Sequence, residues 1–180
     1  MDYYIDPKTD TRNLVDEYKG LANDDIKNIL ATKSFDYHVA IENFQHDFNI
    51  GTIVRNANAF NARGVHIVGK RQWNKRGAMV TDKYLQVYHH PSVEVFYQWV
   101  LDSNLKCIGI DNIPGSVYLS ETTLPAGSVL VFGQEGPGLS TDMQKICEKI
   151  VAIKQYGSTR SVNVGVASGI IMNAWVEQNI

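Results

Sequence analysis

Residues 161–170, Ser-Val-Asn-Val-Gly-Val-Ala-Ser-Gly-Ile, constrain the fold more than any other stretch of the chain. They follow a short apolar run, Ile150–Ile153, and a polar loop containing Gly157, and they open a helix predicted over Val162–Gln178. A buried helix is ordinarily lined with large aliphatic side chains. This one carries Gly165, Ala167, Ser168 and Gly169 in its first turns, and each glycine costs about 1 kcal/mol of helix propensity relative to alanine. Such a run makes sense where another backbone segment, or a ligand, passes close against the helix start. Ser161 and Asn163 then set polar groups at the mouth of that crowded point.

The rest of the chain reads as alternating strands and helices from His38 onward. Strands are predicted over His38–Glu42, Val65–Val68, Leu85–His89, Leu105–Asp111, Val129–Gly133 and Ile150–Ile153; further helices are predicted over Thr52–Ala62, Val93–Asp102 and Thr141–Cys147. Several of these strands are unbroken apolar runs, as buried parallel strands tend to be. The expected class is therefore α/β, a mostly parallel sheet with helices on both faces. Before it, Leu14, Tyr18, Leu21, Ile26, Ile29 and Leu30 are spaced for short amphipathic helices. Residues 1–34 read as a helical extension packed on a single domain spanning 35–180.

Several functional classes drop out. No G-x-G-x-x-G joins an early strand to a helix, and no G-x-x-x-x-G-K-[ST] is present, so dinucleotide-binding and P-loop readings fail. No G-x-S-x-G elbow surrounds a serine, which removes a serine-nucleophile hydrolase. Cys107 and Cys147 lie far apart without C-x-x-C spacing and read as reduced, partly buried thiols. His89 and His90 are adjacent in a predicted strand and so point to opposite faces, which disfavours a shared metal; no metal site is expected. Met1–Lys8 lacks a basic start and apolar run, and no apolar run approaches membrane-spanning length, so a cytoplasmic setting without membrane attachment is expected. The net charge of −2 argues against a nonspecific nucleic-acid coat. It leaves room for a local patch, and Lys70, Arg71, Lys75 and Arg76 surround Trp73 in one loop. Cations on phosphates and a ring under a base suit RNA.

Two further segments complete the pattern: Asn49-Ile-Gly-Thr-Ile-Val-Arg55-Asn-Ala-Asn-Ala-Phe60 and Val129-Leu-Val-Phe-Gly133-Gln-Glu135-Gly-Pro-Gly138-Leu-Ser140. With residues 161–168, and in this order, they resemble the three signature motifs of the SpoU family in the SPOUT superfamily of RNA methyltransferases. Those motifs run roughly N-x-G-x-x-x-R-x-A-x-A-F-G, [LV]-x-F-G-x-E-x-x-G-[LI] and S-[LV]-N-[VLA]-x-x-[AS]. The resemblance covers about Phe35 to the C-terminus. It implies a deep C-terminal trefoil knot, a homodimer, and S-adenosylmethionine-dependent methylation of a ribose 2′-hydroxyl in tRNA or rRNA. By position it assigns Ile110, Asp111, Gly133, Gly138, Ile153 and Val162 to the cofactor. Arg55, Asn49, Glu135, Ser161 and Asn163 take catalytic roles, and Arg55 joins Lys70, Arg71, Trp73, Lys75 and Arg76 on the RNA.

If Asn49 caps the first-motif helix, Arg55 falls in its second turn and both face one region. An arginine is a poor general base because its pKa exceeds about 12, so Arg55 reads better as a phosphate clamp that stabilises developing negative charge. Glu135 is expected to hold Asn49 or Arg55, or to brace the knot. Two positions depart from the motifs. Asn61 stands where glycine is usual, in a turn that asparagine tolerates, and Lys154 replaces a common proline, with an expected effect on the cofactor wall. Two alternatives stay open: a SPOUT base methyltransferase, and an RNA- or S-adenosylmethionine-binding module without turnover.

Overall fold

The computed structural model describes residues 5–45, 49–159 and 161–180. Met1–Tyr4, part of the N-terminal stretch read above for targeting, lie outside the described residues.

Among the described residues, seven strands form one sheet in the order β3-β2-β1-β6-β4-β7-β5. They are β1 (Tyr37–Asn43), β2 (Val65–Gly69), β3 (Val87–His90), β4 (Lys106–Ile110), β5 (Val117–Tyr118), β6 (Ser128–Phe132) and β7 (Lys149–Ala152). Every pairing is parallel. The α-helices are α1 (Asn23–Lys33), α2 (Ile50–Ala59), α3 (Val93–Asp102), α4 (Thr141–Ile146) and α5 (Val164–Asn179). All seven residues of β1 and all five of β6 are buried, which explains why the central strands lack polar alternation.

Side-chain alternation divides the core into two layers. Val39, Ile41, Ile67, Ile108, Leu130 and Phe132 face α2 and α5, whose Ile50, Ile53, Val54, Ile171, Met172 and Trp175 close the first layer. Ala40, Val68, Cys107, Val129 and Val131 face the other way, against Val93, Phe96 and Val100 of α3 and Met143 of α4. The expected α/β sheet with helices on both faces is what the chain forms, and the sheet is parallel throughout.

Strand ends shift by one or two residues from the sequence reading, as β3 does in starting at Val87 and not Leu85, and three further differences have a physical reason. Helix α2 begins at Ile50, two residues early, because Gly51 is buried rather than helix-breaking there, and it ends at Ala59 as the chain turns through Asn61 at φ +52°. Helix α5 starts at Val164, since Asn163 is its cap. Strand β5 was not anticipated: it is two exposed residues on the sheet edge, too short for any periodicity. In the N-terminal segment, Ile26 of α1 is 1% exposed, while Arg12 joins Asp10 through a short ion pair and donates to Asn23 and Leu21.

Buried on the α3 side is a ladder of imidazoles. His38 Nδ1 stands 3.0 Å from His66 Nε2, and His66 Nδ1 stands 2.9 Å from His90 Nε2. Trp99 covers the middle ring at 3.8 Å between centroids and Tyr88 stacks on it at 4.7 Å. Burial pushes the pKa of His38 down to about 4 and that of His66 down to about 2, so the rings are neutral at pH 7 and share protons as neutral donors and acceptors. Cys107 and Cys147 are free thiols, with sulfurs 3.7 Å apart.

Candidate active site

Because every strand is parallel, all their C-terminal ends lie along one edge of the sheet, where ligands bind in open α/β folds. The segments after β4, β6 and β7 converge there with the start of α5 around a cavity of about 450 Å³. Ile110 and Asp111 come from the first, Gly133 and Gly138 from the second, Ile153 from the third and Val162 from the approach to α5. All six residues assigned to the cofactor by position thus share one wall. Glu135, Ser161 and Asn163 line the same space.

The loop after β6 is held rigidly. Gln134 and Gly138 exchange backbone hydrogen bonds of 3.1 and 3.0 Å, closing a tight turn. Gly138 adopts φ +70°, and Gly133 runs so close to the Gly138–Leu139 backbone that a Cβ would overlap it. The Asp111 carboxylate accepts from the amides of Leu139 (2.8 Å) and Asn112 (2.7 Å), so its side chain braces this turn while its residue lines the cavity. From the other side, fully buried Glu42 accepts from the Ser140 amide at 2.8 Å and hydroxyl at 2.6 Å. Burial raises the Glu42 pKa, and the two Ser140 bonds oppose that rise.

At the cavity mouth the three motifs meet in one hydrogen-bonded node. Asn49 Nδ2 donates to Glu135 Oε2 at 2.5 Å. Asn163 Nδ2 donates to Asn49 Oδ1 at 3.0 Å and to Glu135 Oε1 at 3.3 Å. Asn163 Oδ1 accepts from the Val166 amide at 3.2 Å and so caps α5 as well. Here the reading of Asn49 needs correction. It occupies the N-cap position of α2, but its side chain does not cap the helix; the Oδ1 that a cap would use accepts from Asn163 Nδ2 instead. Glu135 accordingly holds Asn49, and Arg55 is held by neither. Arg55 lies in the second turn of α2, exposed, outside the cavity wall, and its guanidinium makes no ion pair or hydrogen bond among the described residues.

The small residues of α5 are now accounted for. A Cβ on Gly165 would come within 2.9 Å of Thr52 Cγ2, so the segment packed against the helix start is α2, through the Thr52 side chain. Asn56 Nδ2 fastens the pair through Gly165 O and Ser168 Oγ, each at 2.9 Å. Asn56 was not singled out from the sequence, and Ser168 only as one of the small residues, although a polar residue on each of two otherwise apolar, glycine-spaced faces was the available signal.

The SpoU rRNA Methylase family model matches residues 36–173, most of the chain. The chain belongs to the SpoU family. The SpoU relatives it resembles are longer. A protein of Mycolicibacterium smegmatis described as an uncharacterized tRNA/rRNA methyltransferase is 30% identical over 141 residues, 74% of this chain and 44% of its own length. The SpoU methyltransferase AviRb from Streptomyces viridochromogenes, solved in complex with AdoMet, superposes with a TM-score of 0.72 at 25% identity, over 80% of this chain and 58% of that one. The TrmH/SpoU tRNA modifying enzyme of A. aeolicus superposes at 0.75 and 23% identity, over 87% and 81%. This SpoU chain therefore spans less than half the length of the curated relative and about three-fifths of AviRb.

Two other expectations are modified by the geometry. The basic loop is split: Arg71, Trp73 and Lys75 line a second cleft, while Lys70 and Arg76 do not, and Lys75 is paired with Asp82 at 2.8 Å. Lys154 does not shape the cavity wall. Its Nζ sits over the Tyr118 and Tyr156 rings at 5.4 and 5.6 Å, and the wall beside it is made by Ile153 and Gln155. Among the described residues no helix is long and apolar enough to cross a membrane, and no group of three or more His, Cys, Asp or Glu is placed to hold a metal ion.

Proposed function

We propose that this chain transfers a methyl group from S-adenosylmethionine to a ribose 2′-hydroxyl of tRNA or rRNA, in the cytoplasm and as a homodimer. The observation that carries this reading is the Asn49–Glu135–Asn163 node, which fixes the helix bearing Arg55 against the cavity. The cavity suits the cofactor. Its size is that of a small-molecule site. Its apolar walls, Ile110, Ile153 and Val162, fit an adenosine ring, and the backbone of residues 133–138 offers donors and acceptors for polar edges. The AdoMet complex of AviRb, a SpoU protein of the same fold, supports the assignment.

When bound, the cofactor supplies an electrophilic methyl group on a positively charged sulfur. The chain's own residues do the rest. Arg55, exposed and unpaired among the described residues, clamps the phosphate beside the target ribose and stabilises negative charge as the hydroxyl oxygen loses its proton. A permanently protonated guanidinium suits that role better than a base. The node keeps α2, the loop after β6 and the start of α5 in one arrangement, so that hydroxyl and methyl meet in line. Ser161, at the rim, orients substrate.

The remaining parts follow from the same reading. The stripe Val162, Val166 and Ile170 on and before α5 is 36, 55 and 40% exposed beside the cavity mouth, and supports a dimer through this helix. Insertion of β6 between β1 and β4, with Gly133 tight against the Gly138–Leu139 backbone, supports a knotted path for the C-terminal segment. Residues 1–34 serve as an extension of a catalytic unit spanning 35–180.

The test is to map methyl groups in RNA from a deletion strain and its parent, and then restore the missing one with purified protein and methyl-labelled cofactor. A single ribose 2′-O-methyl group, restored by the protein, is expected. Restoration of a base methyl group would replace the ribose assignment, and no methylation with cofactor still bound would leave a binding module.

A further inference from the structure

A second cleft, of about 640 Å³, opens beside the free edge of the sheet. Its floor is Ile67 and Val87; Trp73 and His89 supply rings, and Arg71 a cation, while Tyr88 borders it from the edge strand with its ring turned to the other face, onto His66. The site is built in advance. Asn43, the last residue of β1, donates from Nδ2 to Lys70 O at 2.6 Å and Gln72 O at 2.9 Å, pinning the loop that carries Trp73. His89 Nε2 bonds Gly69 O at 2.8 Å. A carbonyl only accepts, so Nε2 is the donor in this bond, and Nδ1 is the ring nitrogen it leaves over. Trp73 packs on the core, and Lys75, drawn to Asp82 at 2.8 Å, lies 5.5 Å over its ring. Arg71 makes no ion pair among the described residues and is exposed.

The chemistry is that of a flat aromatic ligand with polar edges and an attached negative charge. Rings and a guanidinium plane suit stacking. The Gln72 amide and His89 Nδ1 suit a base edge, and Arg71 suits a phosphate. A simple anion would leave the rings unused. The cleft also shares the strand C-terminal edge with the cofactor cavity. It lies at β2 and β3, two to three strands from β6, or roughly 10–14 Å at the usual strand spacing. Helix α2 stands between them, its Gly51 packed against Gly77 and Ala78 at the end of the Trp73 loop.

We propose that this cleft holds one unstacked nucleobase of the RNA substrate, close to the methylated ribose, and so contributes to the choice of target. The inference rests on the RNA methyltransferase reading. It also explains why the loop after β2 is clamped at both of its walls although it belongs to none of the three motifs.

The test uses the full-length protein with single-stranded hexanucleotides of A, C or U, an abasic hexamer of the same charge, and tryptophan fluorescence. At least one base-bearing hexamer is expected to quench fluorescence and bind more tightly than the abasic one. Trp73→Phe should lose the quenching while keeping most of the affinity. Trp73→Ala should weaken binding by roughly 5- to 100-fold, the range for loss of one base–aromatic stack, and on the identified RNA it and Arg71→Ala should raise KM far more than they lower kcat. Arg71→Ala, at an exposed position, gives a variant whose folding is not in doubt and should weaken binding of all hexamers. Equal affinity for abasic and base-bearing hexamers, or quenching that persists in Trp73→Phe, overturns the proposal. If wild-type protein methylates RNA and these variants match it in KM, the cleft assignment alone fails. If wild-type protein neither methylates RNA nor binds any hexamer, both readings fall.

Discussion

Two clusters of polar side chains, each gathered from three distant segments, sit in opposite surroundings. Asn49, Glu135 and Asn163 meet at a solvent-open mouth beside the large cavity. His38, His66 and His90 meet across three strands and are at most 7% exposed. In the ladder, neutral rings satisfy one another and are covered by Trp99 and Tyr88. Such a network specifies register and packing, and it is sensitive to any charge placed in it. In the node a carboxylate and two amides fix three loops where a charged substrate would arrive, and an arginine stands on the attached helix. On the function proposed above, similar hydrogen-bond arithmetic serves the fold in one place and a reaction in the other. Water access and neighbouring charge decide which.

The sharpest way to break that contrast is Arg55→Ala. The node and cavity do not use the guanidinium, so fold and cofactor affinity should hold. Methyl transfer should fall by about 10²–10³ or more, the scale for removing one preorganised stabiliser of developing charge. Arg55→Lys keeps a cation and loses the planar fork, so an intermediate rate is expected. Single-turnover rates on the identified RNA, with calorimetric cofactor titration, check this; wild-type turnover in Arg55→Ala would sink the assignment.

Acid addresses the other cluster. His38 has a folded pKa of about 4, below an ordinary value of 6.5, so the unfolded chain binds its proton first as pH falls. Stability is then complete above pH 6.5 and is lost between 6.5 and about 4, by about 3 kcal/mol from this ring at 1.36 kcal/mol per pKa unit. Burial lowers His66 further and adds to the loss. Urea unfolding between pH 8 and 4 should show the decline. His66→Phe should start lower at pH 7, because it strands two imidazole nitrogens, and fall less steeply. An unchanged slope would show that the ladder is not the acid-sensitive element.

What the sequence made legible follows the same division. The central strands were visible because residues buried on both faces must be apolar, as in β6. Helix α3 was predicted to its last residue, with Ser92 capping it through the Val95 amide. The cofactor wall was visible only through the resemblance, since nothing in Ile110 or Ile153 alone marks a ligand. The ladder was invisible: its rings lie 28 and 24 residues apart, and only strand register brings them together. The Asn43 clamp was hidden for the same reason, as its acceptors are backbone carbonyls 27 and 29 residues away.

Gly165→Ala tests how the two helices that carry the node depend on close approach. The added methyl would sit 2.9 Å from Thr52 Cγ2, and a β-branched side chain has little freedom to move aside. A loss of about 1–3 kcal/mol is expected for such overpacking. Because Asn163 and Asn49 flank these same turns, methylation should fall by more than the stability change explains. Thermal midpoints and rates measured on one preparation separate the two effects; a rate that merely tracks the folded fraction would assign Gly165 to the fold alone.

Asn163→Asp gives the smallest stability change and the cleanest division of roles. Asn163 Oδ1 caps α5 through the Val166 amide, while Nδ2 donates to Asn49 and Glu135. Aspartate caps as well as asparagine and gains from the positive end of the helix. It also sets a second carboxylate near Glu135 at an exposed mouth, where repulsion is about 1 kcal/mol or less. These effects nearly cancel, so the unfolding free energy should change by less than about 1 kcal/mol. The two donor bonds are lost outright, however, and Asn49 Oδ1 then faces a carboxylate in place of an amide. Methyl transfer should therefore drop by roughly 10- to 100-fold, the penalty for misplacing a positioning group. Asn163→Ala removes cap and donors together and should cost about 1 kcal/mol more in stability than the aspartate variant. Wild-type methylation in Asn163→Asp would place the node beside the histidine ladder, as a device of the fold and not of the reaction.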